Sequence, residues 1–319
     1  MLYFYIKEMM GMFDKSQYKV KRLFKDEHFE NGFKIVPLAR DDDKSIPFED
    51  WKYNDSTEEP SWKIIQHYSR YCLWEDRKDL GNDYIIADNG DSKEVLYNPE
   101  EKSLRMTLDA RKVFQGKSKN YRYWPHLLID QRDICDYKNM PEGDEKKFYS
   151  AASDKIFAEF DIRILDYIPT DNPEDVNACQ FVGYAYLNLV DANWIYFGFS
   201  PFDNRGRIPF FFRKETGGNN HIYCLPTETV YGSLENSLCP EPYDVKVSEE
   251  WKHVEVDLTP HIDSIMEAAN RDMIFGRPVS RDEFYFSGTN MGFEIYGNIK
   301  CTVEIKNYNL VSYVKKDEE

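Results

Sequence analysis

The sequence predicts an all-β fold: a two-sheet antiparallel jelly-roll sandwich with one or two short helices. Three observations predict it. Apolar and polar residues alternate with period two over several long segments, as in strands that bury one face and wet the other. Phe, Tyr and Trp number 21, 23 and 6, a supply of the aromatic residues that strands favour. Against these stands a single segment with convincing helix signals.

Taken in chain order, the first thirteen residues read MLYFYIKEMMGMF. Lys7 and Glu8 interrupt the apolar run and no small-residue cleavage site follows, so no signal peptide is expected and the protein is read as cytoplasmic. Residues 1–25 are treated as an N-terminal extension of uncertain order. Residues 26–319 are read as one domain, because no Ser/Gly linker, low-complexity tract or fixed-period repeat divides them. Residues 62–74 lean to strand. Ile156, Ala158, Phe160, Ile162 and Ile164 alternate with Glu159, Asp161 and Arg163. Phe181, Gly183, Ala185, Leu187 and Leu189 alternate with Gln180, Val182, Tyr184, Tyr186 and Asn188. Val254, Val256 and Leu258, and then Ile299, Cys301, Val303 and Ile305, repeat the pattern. The helix starts with Thr259 as cap and Pro260 in the first position, and Ile262, Ile265, Met266, Ala269 and Met273 follow at helical spacing. It should lie across one end or edge of the sandwich. Polar patches at 41–45, 55–61, 88–93, 115–120, 141–147, 169–175, 217–220 and 235–242 read as loops.

Composition excludes several functions. Lys plus Arg is 41 and Asp plus Glu is 57, a formal net charge of -16. That sign argues against coating nucleic acid or anionic lipid, because each phosphate contact needs a cation. No apolar run approaches the ~18 residues of a transmembrane helix. The six cysteines include no C-x-x-C pair, and the six histidines no H-x-H or H-E-x-x-H pair. No metal site and no cofactor are therefore expected, and the cysteines read as buried, reduced thiols. The Gly116-Lys117-Ser118 triplet lacks the first glycine of a phosphate loop, since position 111 is Arg. Ser200 lacks the second glycine of a nucleophile elbow.

Two strand faces carry candidate chemistry. Glu159, Asp161 and Arg163 stand in a row, with neighbours ~7 Å apart. Two carboxylates beside a guanidinium can divide acid and base roles, because repulsion and the cation drive their pKa values apart. They can equally form a solvated ion-paired face. The second face holds Gln180, Tyr184 and Tyr186, with Trp194 and Tyr196 on the next strand. Flat aromatic faces stack on sugar C–H surfaces while polar edges bond hydroxyls; the plain alternative is core packing. Asp203 and Arg205 leave a strand end into a turn, where Asp203 can also bond its own backbone. These faces are expected to meet in one groove containing Glu159, Gln180 and Trp194 or Tyr196, because consecutive strands are usually neighbours.

The combination of Trp124-Pro125-His126-Leu127-Leu128-Ile129-Asp130-Gln131, Phe202-Asp203-Asn204-Arg205 and Asn290-Met291-Gly292-Phe293-Glu294 resembles a group of bacterial proteins similar to the concanavalin A-like lectin/glucanase sandwiches. The opening Phe29-Glu30-Asn31-Gly32-Phe33-Lys34 fits the same group. The resemblance covers roughly residues 26–316 and implies one jelly-roll domain that binds or cleaves an oligosaccharide or polysaccharide on a concave sheet. In the binding reading Trp124, Trp194, Tyr184 and Tyr196 stack on sugar rings and Glu159, Arg163, Gln180, Asp203 and Asn290 bond hydroxyls, with Tyr186, Arg205 and Glu294 as further candidate binding residues. Laminarinase-like hydrolases carry Glu-x-Asp-x-x-Glu; here Glu159 and Asp161 match, but Ile164 stands at the last position. Lyase-like jelly rolls use Arg, Gln, His and Tyr, for which Arg163, Gln180, His126 and Tyr184 or Tyr186 are the candidates. Binding is the first reading, cleavage the alternative, and a structural or protein-interaction sandwich the third.

Overall fold

The computed structural model describes residues 13–38, 43–53, 56–75, 77–78, 84–114, 124–170, 177–190, 194–215 and 220–316. The expected loop at 115–120, most of those at 169–175 and 217–220, and residues 41–42 of that at 41–45 lie outside the described residues, as does most of the opening apolar run. Strands dominate. The first eight are β1 (Tyr18–Arg22), β2 (Phe33–Ile35), β3 (Glu49–Trp51), β4 (Trp62–Ile65), β5 (Arg77–Lys78), β6 (Ile85–Asp88), β7 (Lys93–Asn98) and β8 (Ser103–Asp109). Then come β9 (His126–Arg132), β10 (Lys155–Ile168), β11 (Ala178–Leu189), β12 (Trp194–Asp203), β13 (Phe211–Lys214) and β14 (His221–Cys224). The last three are β15 (Lys252–Asp257), β16 (Phe284–Tyr296) and β17 (Lys300–Lys315). The α-helices are α1 (Ala110–Phe114), α2 (Asp144–Tyr149), α3 (Thr227–Tyr231) and α4 (Thr259–Arg271).

The strands form two sheets, as the alternation requires. One has eight strands in the order β15-β10-β17-β8-β7-β6-β5, with β1 added along the end of β17. The other has nine, in the order β13-β14-β12-β11-β16-β9-β4-β2-β3. All pairings are antiparallel except β12 with β14 and β2 with β4. The apolar faces meet in one core. Ile156, Ala158, Phe160, Ile162 and Ile164 of β10 are wholly buried, as are Phe181, Ala185 and Leu187 of β11. Phe160 stacks on Phe199 across the sandwich, with ring centroids 5.9 Å apart. All six cysteines are free and five are buried.

Several local expectations are corrected. Thr259 is the first residue of α4 and Leu258 its cap; the Thr259 hydroxyl instead accepts the Ile156 N–H at 2.9 Å, tying the helix start to β10. Ile262, Ile265, Met266 and Ala269 are buried, but Met273 lies past the helix end and is half exposed. The helix follows edge strand β15, and its His261 ring reaches Tyr223 of β14, 6.5 Å away, so α4 spans one edge of the sandwich. Residues 141–147, expected as loop, run into α2, whose first turn carries Asp144 and Glu145, where the helix dipole favours acids. Residues 18–22 form β1 on the sheet.

Candidate functional site

On the outer face of the eight-stranded sheet, Glu159, Asp161 and Arg163 are consumed by a hydrogen-bonded network. Arg22 lies 3.4 Å from Glu159. Asp161 accepts Asn307 Nδ2 at 2.7 Å and meets His253 Nδ1 at 2.8 Å. Arg163 donates to Glu304 from Nε and Nη2, at 3.0 and 2.8 Å, and to the Glu249 carbonyl at 2.9 Å. Its guanidinium lies 4.2 Å from the Trp251 ring centroid. Burial raises the Glu159 carboxyl and the Arg22 charge pulls it back.

The expected groove joining these residues to Gln180 and Trp194 does not form. β10 belongs to one sheet and β11 and β12 to the other, and their polar residues point outward from opposite sides of the core. The chain crosses between sheets after β10, so the adjacency of consecutive strands, true within a meander, fails at this step.

The outer face of the nine-stranded sheet gathers the remaining candidates. Register aligns Asp203, Gln180, Glu294 and His126 across β12, β11, β16 and β9. Arg205, in the turn after β12, donates from Nε to Asp203 at 2.8 Å and from Nη2 to Gln180 Oε1 at 2.9 Å. Gln180 Nε2 donates to Glu294 Oε2 at 3.1 Å. Burial raises the Glu294 carboxyl, while the Gln180 bond opposes the rise. The Asp203 side chain also accepts the Arg205 backbone N–H at 2.9 Å, so turn chemistry and site chemistry coincide here. Trp124 leans on Tyr296, with centroids 5.6 Å apart, two positions along β16 from Glu294.

Further along the same face, Tyr184 pairs with Asn290 on one side and Gly198 on the other. A Cβ at position 198 would come within 2.7 Å of the Tyr184 ring, so the glycine lets that ring lie against β12. Asn290 Oδ1 is buried with no hydrogen-bond partner among the described residues. Tyr196 touches Tyr184, Tyr186 and Trp194, with centroid distances of 5.6, 5.6 and 6.1 Å. Tyr186 donates to Asp130 Oδ1 at 2.5 Å, and Arg132 Nε donates to the same oxygen at 3.0 Å. Glu215, just past β13, is raised by burial and by the charge of Glu294.

Trp124, Gln180, Tyr184, Tyr186, Trp194, Tyr196, Asp203, Arg205, Asn290, Glu294 and His126 thus share one face, while Glu159 and Arg163, also expected to bond hydroxyls there, lie with Asp161 on the other sheet. Asp130, Arg132 and Glu215 were missed. The signal for the first two was legible: alternation along β9 places His126, Leu128, Asp130 and Arg132 on one face, opposite the wholly buried Leu127 and Ile129. Glu215 stands in no alternating run. Among the described residues, no three His, Cys, Asp or Glu side chains gather as metal ligands.

No protein-family model and no curated protein sequence matches the chain. Solved structures that resemble it include a family 12 xyloglucanase from Bacillus licheniformis, with TM-score 0.38 and 8% identity over 78% of this chain and 99% of that one. A metagenome-derived glycoside hydrolase family 12 endoglucanase gives TM-score 0.36 and 11% identity over 81% and 100%. The xyloglucanase domain of NopAA from Sinorhizobium fredii gives 0.36 and 7% over 70% and 94%. At these scores no residue role or activity is carried over from them.

Proposed function

We propose that the outer face of the nine-stranded sheet binds a neutral oligosaccharide or polysaccharide. The support is a tyrosine floor beside a hydrogen-bonding oxygen, Asn290 Oδ1, that no described residue satisfies. Tyr184 and Tyr196, both partly exposed, offer ring surface and phenol edges to sugars, while Tyr186 is buried beneath Arg132 with its hydroxyl on Asp130 and supports the floor from below. Beside Tyr184, on β16, the buried Asn290 Oδ1 has no partner among the described residues, and burying such a group without one is costly. A sugar hydroxyl would satisfy it. The nearby guanidinium groups of Arg132 and Arg205 are engaged by Asp130 and Asp203, and the chain carries -16 overall, which disfavours polyuronates. Titration calorimetry with neutral β-glucan, xylan and polyuronate oligosaccharides tests the reading. Binding of a neutral member, lost in Tyr184→Ala, is expected. Absence of binding across the panel would retract it.

One observation favours cleavage at the same site. Glu294 and Glu215 both have carboxyls raised by burial, and the Glu294 charge adds to the rise at Glu215. A carboxyl held protonated can donate to a glycosidic oxygen, while a partner activates water or attacks the sugar carbon. Glu294→Gln should then lower turnover by at least ~10²-fold with binding retained. No product from any glycan that binds would leave the site as a binding site.

A further inference from the structure

We infer that the outer face of the eight-stranded sheet carries a second site, an open cavity over Thr107 and Thr302 that binds a small zwitterion: an α-amino acid held by its carboxylate on Arg105 and by its ammonium on Glu94. The inference is independent of the sugar face, which lies on the opposite sheet.

The cavity has a volume of about 570 Å³, within the range of small-molecule sites. Alternation builds it. Leu104, Met106 and Leu108 of β8 are wholly buried in the core, so Arg105, Thr107 and Asp109 face outward. Register extends the floor across four strands: Glu94 of β7 pairs with Thr107, Thr107 with Thr302 of β17, and Thr302 with Asp166 of β10. Among the described residues no aromatic ring lines the cavity, so the stacking that suits sugars on the other face is not available here.

Most charges at the cavity are answered within the protein. Arg111 donates to Asp109 in two contacts of 2.8 Å, and Lys300 to Asp166 at 2.6 Å. Lys112 stands 3.8 Å from Asp91. The Lys93 ammonium turns inward, onto Gln66 at 2.8 Å. Two charges of opposite sign are left over. Arg105 donates no hydrogen bond to any described residue, and its Nε is buried without a partner. Its neighbouring acid, Glu304 at 3.6 Å, already accepts from Arg163 and Ser103. The Glu94 carboxylate has no ion pair or hydrogen bond among the described residues.

A guanidinium in that state keeps the fork of N–H donors that fits a carboxylate. Arg105 is two residues from Thr107, so it and Glu94 are diagonal neighbours across the β7–β8 pair, with Cβ atoms about 7 Å apart. An α-amino acid, whose carboxylate and ammonium leave the same carbon, has the length to stand between them. Thr107 and Thr302 share one hydroxyl bond at 3.0 Å. That bond uses one of their two protons, and the other is left to donate to the ligand carboxylate. An inorganic oxyanion would suit Arg105 but meet the charge of Glu94, and a simple amine would do the reverse. A ligand carrying both signs uses both groups.

The test screens the full chain by thermal shift against the standard amino acids and inorganic phosphate at millimolar concentration. Calorimetry then compares the best amino acid with its N-acetyl and amide derivatives. At least one amino acid should raise the melting temperature. Each derivative should bind about tenfold or more weakly, the worth of one charged hydrogen bond. In Glu94→Gln the free and N-acetylated forms should bind alike, and in Arg105→Gln the free acid and the amide should. A merely structural role for either residue would not erase one discrimination and keep the other. Binding of no amino acid would overturn the inference. So would derivatives that bind as well as the parent, or phosphate bound in preference to every amino acid. Should Arg105→Gln fail to fold, the derivatives and Glu94→Gln still decide.

Discussion

Replacing Arg163 by Met separates a structural face from a functional one. Glu304 is wholly buried on the eight-stranded sheet. It accepts two bonds from Arg163, at 3.0 and 2.8 Å, and one from the Ser103 hydroxyl, with Arg105 at 3.6 Å. Methionine keeps much of the stem but leaves the carboxylate with one hydroxyl and one more distant cation. Breaking a buried pair from one side costs about 3–5 kcal/mol, because the remaining charge is uncompensated. For a chain of this size each kcal/mol is worth about 2 °C, so the midpoint should fall by roughly 6–10 °C. Arg163→Met combined with Glu304→Leu removes the stranded charge and should recover most of that loss. Thermal melts of the wild type, both single variants and the double variant form the assay. Well below the melt, glycan affinity should be unchanged, since Arg163 faces away from the tyrosine floor. A double variant as unstable as Arg163→Met would refute the buried-charge reasoning. Lost glycan binding at full stability would return the site to the Glu159 face.

Three further expectations follow from single contacts. Burial raises Glu294 above its ordinary value of 4.5, so the native state keeps a proton that the unfolded chain has released. That contribution to stability is full below the unfolded value and is lost as pH rises through the folded one; Glu294→Gln should therefore gain stability near pH 7 and none near pH 4, read from denaturant midpoints at both. A Cβ in Gly198→Ala would meet the Tyr184 ring at 2.7 Å, so calorimetry should show weakened glycan binding by a protein whose circular dichroism is unchanged. Ellman's reagent should titrate six thiols in denaturant and react slowly with the native protein, where burial pushes even the partly exposed Cys135 up to about 12.

Much of the architecture was legible because period-two alternation is a local property. The apolar members of β10, β11, β15 and β17 are buried as their spacing demands. Ser287 shows where spacing alone fails: the β11–β16 register slips between Tyr186 and Leu187, opposite Gly288 and Phe286. Such a bulge needs the partner strand to be visible. The pairing of sheets is not local at all. Nothing in residues 155–168 says which sheet they join, and this is why Glu159 appeared to share a groove with Gln180. Glu215 lies just past β13 in an irregular segment whose position depends on the whole sandwich. Thr259 carries a capping residue's chemistry, yet its hydroxyl is used by Ile156 of a strand about a hundred residues away.

The central claim is that the tyrosine floor of the nine-stranded sheet, and not the acidic row of β10, is the glycan face. Side-by-side calorimetry of the wild type, Tyr184→Ala and Glu159→Gln with one neutral oligosaccharide tests it most directly. Tyr184→Ala should weaken binding by about tenfold or more, as loss of a stacking ring requires, while Glu159→Gln leaves affinity unchanged. Full affinity in Tyr184→Ala together with a loss in Glu159→Gln would contradict the account.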